Sequence, residues 1–299
     1  MEPFRAFDAA LSSDQVVLLK EASKELFTAK QKAKRGRYST GDTYFVKASE
    51  EPNSIAELYA LAVFRWFTNG LSFDPQCAGA EYWPLVLDGS SDEVGAHYDK
   101  DYAGETDGED LYPLVGTVTY LSDHGAPTTF FEMLESTSRA SPTCSVPRAW
   151  ISRVQSGKIV AFDGRFLHCA PSALANIWGM PKPNAGPRVT LLVNVWFHTP
   201  RDALRSPFQD PDVKLIGLPM QIGTPNYIPI VKCAEGTEIS IDLGDGKSCL
   251  DCKIDTYAIV NTKKSCAEVI WQSDGAIIHK KEKKKKEKKQ RKNKRRGGR

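Results

Sequence analysis

After Gly70 the sequence breaks into short apolar runs rich in Val, Thr, Phe, Tyr and Trp, each closed by turn-forming residues. The runs fall near 80–87, 94–99, 114–121, 128–133, 149–154, 158–163 and 188–197. Asp-Gly pairs, which favour tight turns, punctuate them at Asp88-Gly89, Asp107-Gly108 and Asp163-Gly164. Runs this short, with β-branched and aromatic residues inside and turn residues outside, read as strands. Seven such strands must bury their apolar faces against one another, which predicts a mainly β, antiparallel double-sheet jelly roll (a double-stranded β-helix).

Two helices precede the strands. Residues 12–31 carry a helical stripe of Val16, Leu19, Leu26 and Phe27, with Ser12 or Ser13 placed to cap it. Ser54 to Thr68 carries Ile55, Leu58, Leu61, Ala62, Phe64 and Phe67 on a broad apolar face and stops at Asn69-Gly70. The expected organisation is N-terminal flanking helices over 1–74, the jelly-roll core over 75–200, a C-terminal extension over 201–278 and a basic tail over 279–299. The extension contains Pro-rich turns (PFQDPD, GLPMQIGTPNYIPI) and strand-like EISIDL and TYAIV. GxGxxG, GxxxxGK[ST] and GxSxG are all absent, which removes the motif evidence for nucleotide-binding folds and α/β hydrolases.

Charge is distributed unevenly. Of the 40 Lys and Arg, 14 lie between Lys280 and Arg299 beside only two Glu, leaving 26 basic against 35 acidic residues in the remainder. An acidic folded body thus carries a cationic tail that repels itself and has nothing apolar to bury, so the tail is expected to be disordered. Such a run serves as a nuclear or nucleolar address, as a contact for RNA phosphates, or as a solvated solubility tail. No run approaches the roughly 18 apolar residues that span a bilayer, and no basic-then-apolar leader opens the chain, so neither membrane contact nor secretion is expected. Seven Cys, an odd number, are scattered over the chain and suggest reduced thiols in an intracellular compartment, nuclear or cytoplasmic.

Chemistry concentrates on three residues. In GAHYDKD, His97 and Asp99 are two apart, and in an extended chain such residues project to the same side. An imidazole and a carboxylate can then share one metal ion. His168, in VAFDGRFLHCAPSAL, follows a strand and a turn and supplies the third ligand. Two imidazoles and one carboxylate on one face leave coordination positions open, the donor set of non-haem Fe(II) oxygenases. An HxD by itself is common, and a lone His is more often packed or solvated than ligating, so context decides. In GPRVTLLVNVWFH, Arg188 opens an apolar strand and Thr190 follows on the same side. A guanidinium fork plus a hydroxyl suits the distal end of a dicarboxylate.

The order HYD, then TxxYL (Thr117, Tyr120, Leu121), then GAPTTFFE, SGKIVAFDGRFLH and RVTLLVNVWF resembles the Fe(II)- and 2-oxoglutarate-dependent dioxygenases of the prolyl 4-hydroxylase type over roughly residues 78–198. The resemblance implies a double-stranded β-helix that uses Fe(II), 2-oxoglutarate and O2, releases succinate and CO2, and often draws on ascorbate. It implies His97, Asp99 and His168 as iron ligands and Arg188 as partner of the distal carboxylate. Thr190 and Tyr120 then touch the co-substrate, Tyr120 being equally readable as a buried strand aromatic. Tyr82 is a candidate for the aromatic that precedes HxD. The 20 residues from His168 to Arg188 hold SALANIWGMPKPNAG, a Gly- and Pro-rich insertion expected beside the site mouth.

The implied activity is hydroxylation of a protein or peptide side chain, prolyl or other. The alternative is an inactive jelly-roll module that binds RNA or a protein partner through its tail; an intact ligand triad speaks against it. A metal-dependent cupin isomerase or hydrolase would use more His and need no counterpart of Arg188. Cys233, Cys249, Cys252 and Cys266 include one CxxC and could form a zinc site, with free thiols favoured because Cys233 and Cys266 are isolated singles. His124, His198 and His279 lack partners at ligand spacing. Asp92 and Asp101 read as exposed loop acids, and Trp150, Trp178 and Trp196 as core or loop anchors.

Overall fold

The computed structural model describes residues 3–32, 43–87, 93–104, 110–136, 145–146, 149–174, 186–210, 237–242, 248–254, 266–269 and 276–280. Asp92, Trp178, Cys233, the TYAIV run and the tail beyond Lys280 lie outside the described residues. In chain order the elements are β1 (Phe4–Phe7), α1 (Ser13–Lys32), β2 (Tyr44–Lys47), α2 (Ile55–Thr68), β3 (Gly79–Leu87), β4 (Val94–His97), β5 (Val115–Tyr120) and β6 (Thr128–Phe131). There follow β7 (Ser145–Val146), β8 (Ala149–Ser152), β9 (Ile159–Asp163), β10 (Leu167–Ala170), β11 (Arg188–Trp196), β12 (Thr237–Asp242), β13 (Ser248–Ile254), β14 (Cys266–Val269) and β15 (Ala276–Lys280).

Two antiparallel sheets make the core, ordered β1-β9-β5-β11-β3-β2 and β14-β8-β6-β10-β4. The eight strands β3–β6 and β8–β11 divide four and four between them, β3, β5, β9 and β11 in the large sheet and β4, β6, β8 and β10 in the small one, as in a jelly roll. Seven coincide with the runs read from the sequence. The eighth, β10, is four residues long and carries His168. β1 and β2 were not legible as strands: each is only four residues, and each adds to an edge of the large sheet, on β9 and β3. In the C-terminal segment, β14 extends the small sheet by pairing with β8, and β12, β13, β15 and β7 form a separate four-stranded sheet. Cys249 and Cys252 lie in β13, and Cys266 begins β14. No described helix is long and apolar enough to cross a membrane.

β11 shows how the two faces are divided. All nine of its residues are buried. Val189, Leu191, Val193 and Val195 join the cluster built with α1 and α2, including Leu19, Tyr59, Leu61 and Phe64. The alternate positions, Arg188, Thr190, Leu192, Asn194 and Trp196, therefore face the space between the sheets, where Leu192 packs with Trp83, Phe130 and Phe162. The helices cover the outer face of the large sheet, and the inner face is left to the site.

The helix termini follow their sequence signals. Ser12 caps α1 reciprocally: its hydroxyl accepts from the Gln15 amide and its own amide donates to Gln15 Oε1 at 2.8 Å. Ser54 caps α2, and Gly70 ends it in the left-handed region at φ +79°. Glu57, fully buried in the first turn of α2, accepts from the Asn53 amide and from Arg205, which also donates to the Glu51 carbonyl at 2.6 Å. Arg205 thereby straps the chain after β11 onto α2. Arg205→Ala leaves a buried carboxylate without its cation, and a loss of about 3 kcal/mol is expected in urea unfolding. A loss under about 0.5 kcal/mol would show that the pair contributes only as exposed ion pairs do.

Candidate metal centre and the polar row beside it

His97 ends β4, and His168 stands directly opposite it on β10. Asp99, two residues past His97, is buried and sits between the rings: its Oδ1 lies 3.6 Å from His97 Nε2 and its Oδ2 3.6 Å from His168 Nε2. One ligand atom from each of the three lies within 4.8 Å of the others, and this is the metal-capable group found among the described residues. Two segments distant in sequence meet here because β4 and β10 are neighbours in the small sheet.

The far side of each ring sets the proton. His97 Nδ1 lies 2.8 Å from the Gly95 carbonyl and His168 Nδ1 3.1 Å from the Phe166 carbonyl. A carbonyl only accepts, so in the neutral ring Nδ1 carries the proton and Nε2 presents its lone pair to the centre. Burial holds His168 neutral, moving its pKa down to about 4 against the pull of Asp99. His168 Nε2 has no hydrogen-bond partner. The His168 lone pair thus faces the Asp99 carboxyl, with His97 Nε2 on its other side. That arrangement is unfavourable alone and is satisfied by a cation, so the residues fit a divalent metal of the two-His, one-carboxylate class. Phe130 and Phe162 pack on the His168 ring at centroid distances of 6.1 and 4.8 Å and keep water from its back.

Arg188 begins the inner row of β11. It is buried, its Nη2 donates to Thr128 Oγ1 at 3.0 Å, and its Nε and Nη1 have no partner among the described residues. Burial pushes its guanidinium pKa down, and no carboxylate offsets that. A buried, incompletely partnered guanidinium is a site that lacks an anion. Tyr120, opposite Thr190 in the sheet, places its ring 5.9 Å below the guanidinium and donates its hydroxyl to Thr128. Thr190 Oγ1 is buried without a partner. Thr128 lies on β6 in the facing sheet, and two residues along that strand Phe130 stands opposite His168. The anion-seeking cluster and the triad therefore share the space between the sheets.

Gly125 makes room for this. Its φ of +109° and the 2.7 Å from a built Cβ to Arg188 Cβ and Cδ show that any side chain there displaces the arginine stem. Gly125→Ala is expected to weaken binding of a dicarboxylate at least tenfold while leaving metal affinity within twofold; equal weakening of both would assign the glycine to folding alone.

Arg188, Thr190 and Tyr120 thus converge on one cluster, and His97, Asp99 and His168 on another. Other candidates lie elsewhere. Tyr82 is on the outer, helix-packed face of β3 with its hydroxyl toward Glu57, so it does not line the site. Asp101 is buried, not exposed: its carboxylate accepts the Gly104 and Arg201 amides and ties the loop after β4 to the chain after β11. Trp150 and Trp196 are core residues as expected. Thr128, Gly125 and Lys158 were not singled out beforehand. Lys158 is fully buried, donates to the Arg153 carbonyl and lies 5.4 Å from the Tyr120 ring. The signal for it was a lysine opening an apolar strand.

Solved structures similar to this chain include a Pseudomonas putida prolyl-4-hydroxylase (12% identity, 65% of this chain and 92% of that one, TM-score 0.40). They also include EctD from S. alaskensis with 2-oxoglutarate and 5-hydroxyectoine (16% identity, 75% and 81%, TM-score 0.42). A third is the non-heme alpha ketoglutarate dependent epimerase SnoN from nogalamycin biosynthesis (13% identity, 75% and 91%, TM-score 0.41). No model of a known protein family matches the chain, and no curated protein does. The chemistry is therefore read from this chain's own side chains.

Proposed function

We propose that the chain is an Fe(II)- and 2-oxoglutarate-dependent dioxygenase that hydroxylates a protein or peptide side chain. The observation that carries this is the pairing, within one space between two sheets, of a two-His, one-carboxylate centre with a buried guanidinium that lacks an anion. The first calls for a cation with open positions, the second for the far carboxylate of a dicarboxylate co-substrate.

When bound, Fe(II) with 2-oxoglutarate and O2 would supply the oxidising chemistry, one oxygen atom entering the substrate C–H bond and the other the succinate released with CO2. His97, Asp99 and His168 would hold the metal, their rings fixed by the Gly95 and Phe166 carbonyls. Arg188 would bind the distal carboxylate of 2-oxoglutarate, with Thr190 and Tyr120 beside it. Tyr120 and Thr128 keep the guanidinium in place before ligand arrives, which lowers the ordering cost of binding. Phe130 and Phe162 would keep water from the back of the His168 ring. Ascorbate would keep the metal reduced. The tail over 280–299 would direct the protein to the nucleus or nucleolus, or touch RNA phosphates, more than it would read sequence.

Anaerobic titration tests the reading. The Fe(II)-loaded protein is expected to develop a visible charge-transfer band on addition of 2-oxoglutarate, and to release succinate in air. Fe(II) binding with no band and no succinate release would favour a cupin-type isomerase or hydrolase instead.

A further inference from the structure

The inner row of β11 continues beyond Arg188 and Thr190 to Leu192, Asn194 and Trp196. Asn194 is 2% exposed, and its Oδ1 has no partner among the described residues. Its Nδ2 donates to Glu81 Oε2 at 3.4 Å, and because a carboxylate accepts, this contact orients the amide. Glu81 stands directly opposite Asn194 on β3. Its Oε2 also accepts from Trp196 Nε1 at 2.8 Å, and its Oε1 accepts from the Thr43 hydroxyl at 2.5 Å. Burial raises the Glu81 pKa, against the hydrogen bonds from Thr43 and Trp196 that lower it. Every donor of this cluster is turned toward Glu81. What remains free is acceptor: Asn194 Oδ1 and the unused lone pair of Glu81 Oε1. No Lys or Arg among the described residues contacts Glu81.

The strand is thus polarised. At one end Arg188 is a cation lacking an anion; at the other, about 20 Å of strand away, Glu81 has no cation beside it and Asn194 Oδ1 has no donor. We infer that Glu81 and Asn194 form a substrate subsite in the space between the sheets and that it takes a cationic nitrogen group, an ammonium or guanidinium. The inference rests on the oxygenase reading and names its substrate class. A cationic nitrogen donates to Asn194 Oδ1 and offsets the part-buried Glu81 carboxylate; an anion or an acceptor-only group leaves the Oδ1 unsatisfied and adds repulsion. An apolar group covers the acceptors without replacing water at them.

The test uses capped tripeptides, acetyl-Ala-Xaa-Ala-amide, with Lys, Arg, norleucine or Glu at Xaa, and butylammonium as the free amine. Binding is read by calorimetry on the protein with and without Mn(II), and succinate release on the Fe(II)- and 2-oxoglutarate-loaded protein. The Lys or Arg peptide, or butylammonium, should bind at least tenfold more tightly than the norleucine peptide, with the Glu peptide weakest. Butylammonium without the peptides would assign the nitrogen to a small amine. Glu81→Gln, nearly isosteric, should remove the discrimination, and Asn194→Leu should weaken the cationic probe at least threefold; circular dichroism checks that each folds. Equal binding of Lys and norleucine peptides, binding of no probe, or full discrimination in Glu81→Gln overturns the inference. Discrimination without metal or 2-oxoglutarate binding would leave the subsite standing and defeat the oxygenase reading; the converse would defeat the subsite alone.

Discussion

Asp99→Ala is expected to abolish both metal-dependent stabilisation and succinate release. Asp99 Oδ1 and Oδ2 each lie 3.6 Å from an imidazole Nε2, so a divalent cation held among them would stabilise the folded state. At a metal concentration 100 times Kd the gain is about 2.7 kcal/mol, which for a domain of this size raises Tm by about 5–10 °C. Asp99→Ala removes the anionic ligand, and affinity should fall by at least about 100-fold. Adding Fe(II) without oxygen, or Mn(II), should then leave Tm within 1–2 °C of its metal-free value. His97→Ala and His168→Ala should behave alike, His168→Ala with an added penalty because Phe130 and Phe162 pack on its ring. Wild-type succinate release from Asp99→Ala would end the metal-centre assignment.

Arg188→Met should separate stability from co-substrate binding in opposite directions. Arg188 is buried with two nitrogens unsatisfied, which costs the folded protein several kcal/mol before any ligand arrives. A methionine of similar length fills the volume without charge, so the ligand-free Tm should rise. Affinity for 2-oxoglutarate should fall roughly 10²–10³-fold, since removing one partner of a buried, hydrogen-bonded charge pair costs about 2–5 kcal/mol. Metal binding should change less than threefold, because the triad is held by β4 and β10 and not by β11. If Arg188→Met bound 2-oxoglutarate within threefold of wild type, the guanidinium would not be its anchor. A lower ligand-free Tm would show instead that Arg188 is structural.

Most of the strand pattern was legible because each run is long enough to show its apolar character and ends at turn chemistry. β1, β2 and β10 were not: β4, β6 and β8 are as short but lie inside the longer runs at 94–99, 128–133 and 149–154, whereas these three stand outside any such run. Tyr82 misled for a related reason. Within AEYWPLVL both faces of β3 are buried, so apolar content does not tell inside from outside, and the aromatic belongs to the helix face. Asp101 read as exposed because a loop acid usually is, and only the fold brings the Arg201 amide to it from 100 positions away.

The ligands, by contrast, were named from residue type and order. A metal requires imidazole and carboxylate donors and an anion requires a guanidinium, and these identities are in the sequence whatever the fold. Glu81 and Asn194 were visible only as polar interruptions of apolar strands. That they stand opposite each other on the inner face depends on the register of β3 against β11. Sequence by itself determined which chemical groups the chain possesses and which segments are strands. Tertiary structure alone decided which groups meet, which nitrogen of each imidazole faces the centre, and which polar atoms are left buried without partners. Those depend on pairings across dozens of residues, and a local pattern carries no information about them.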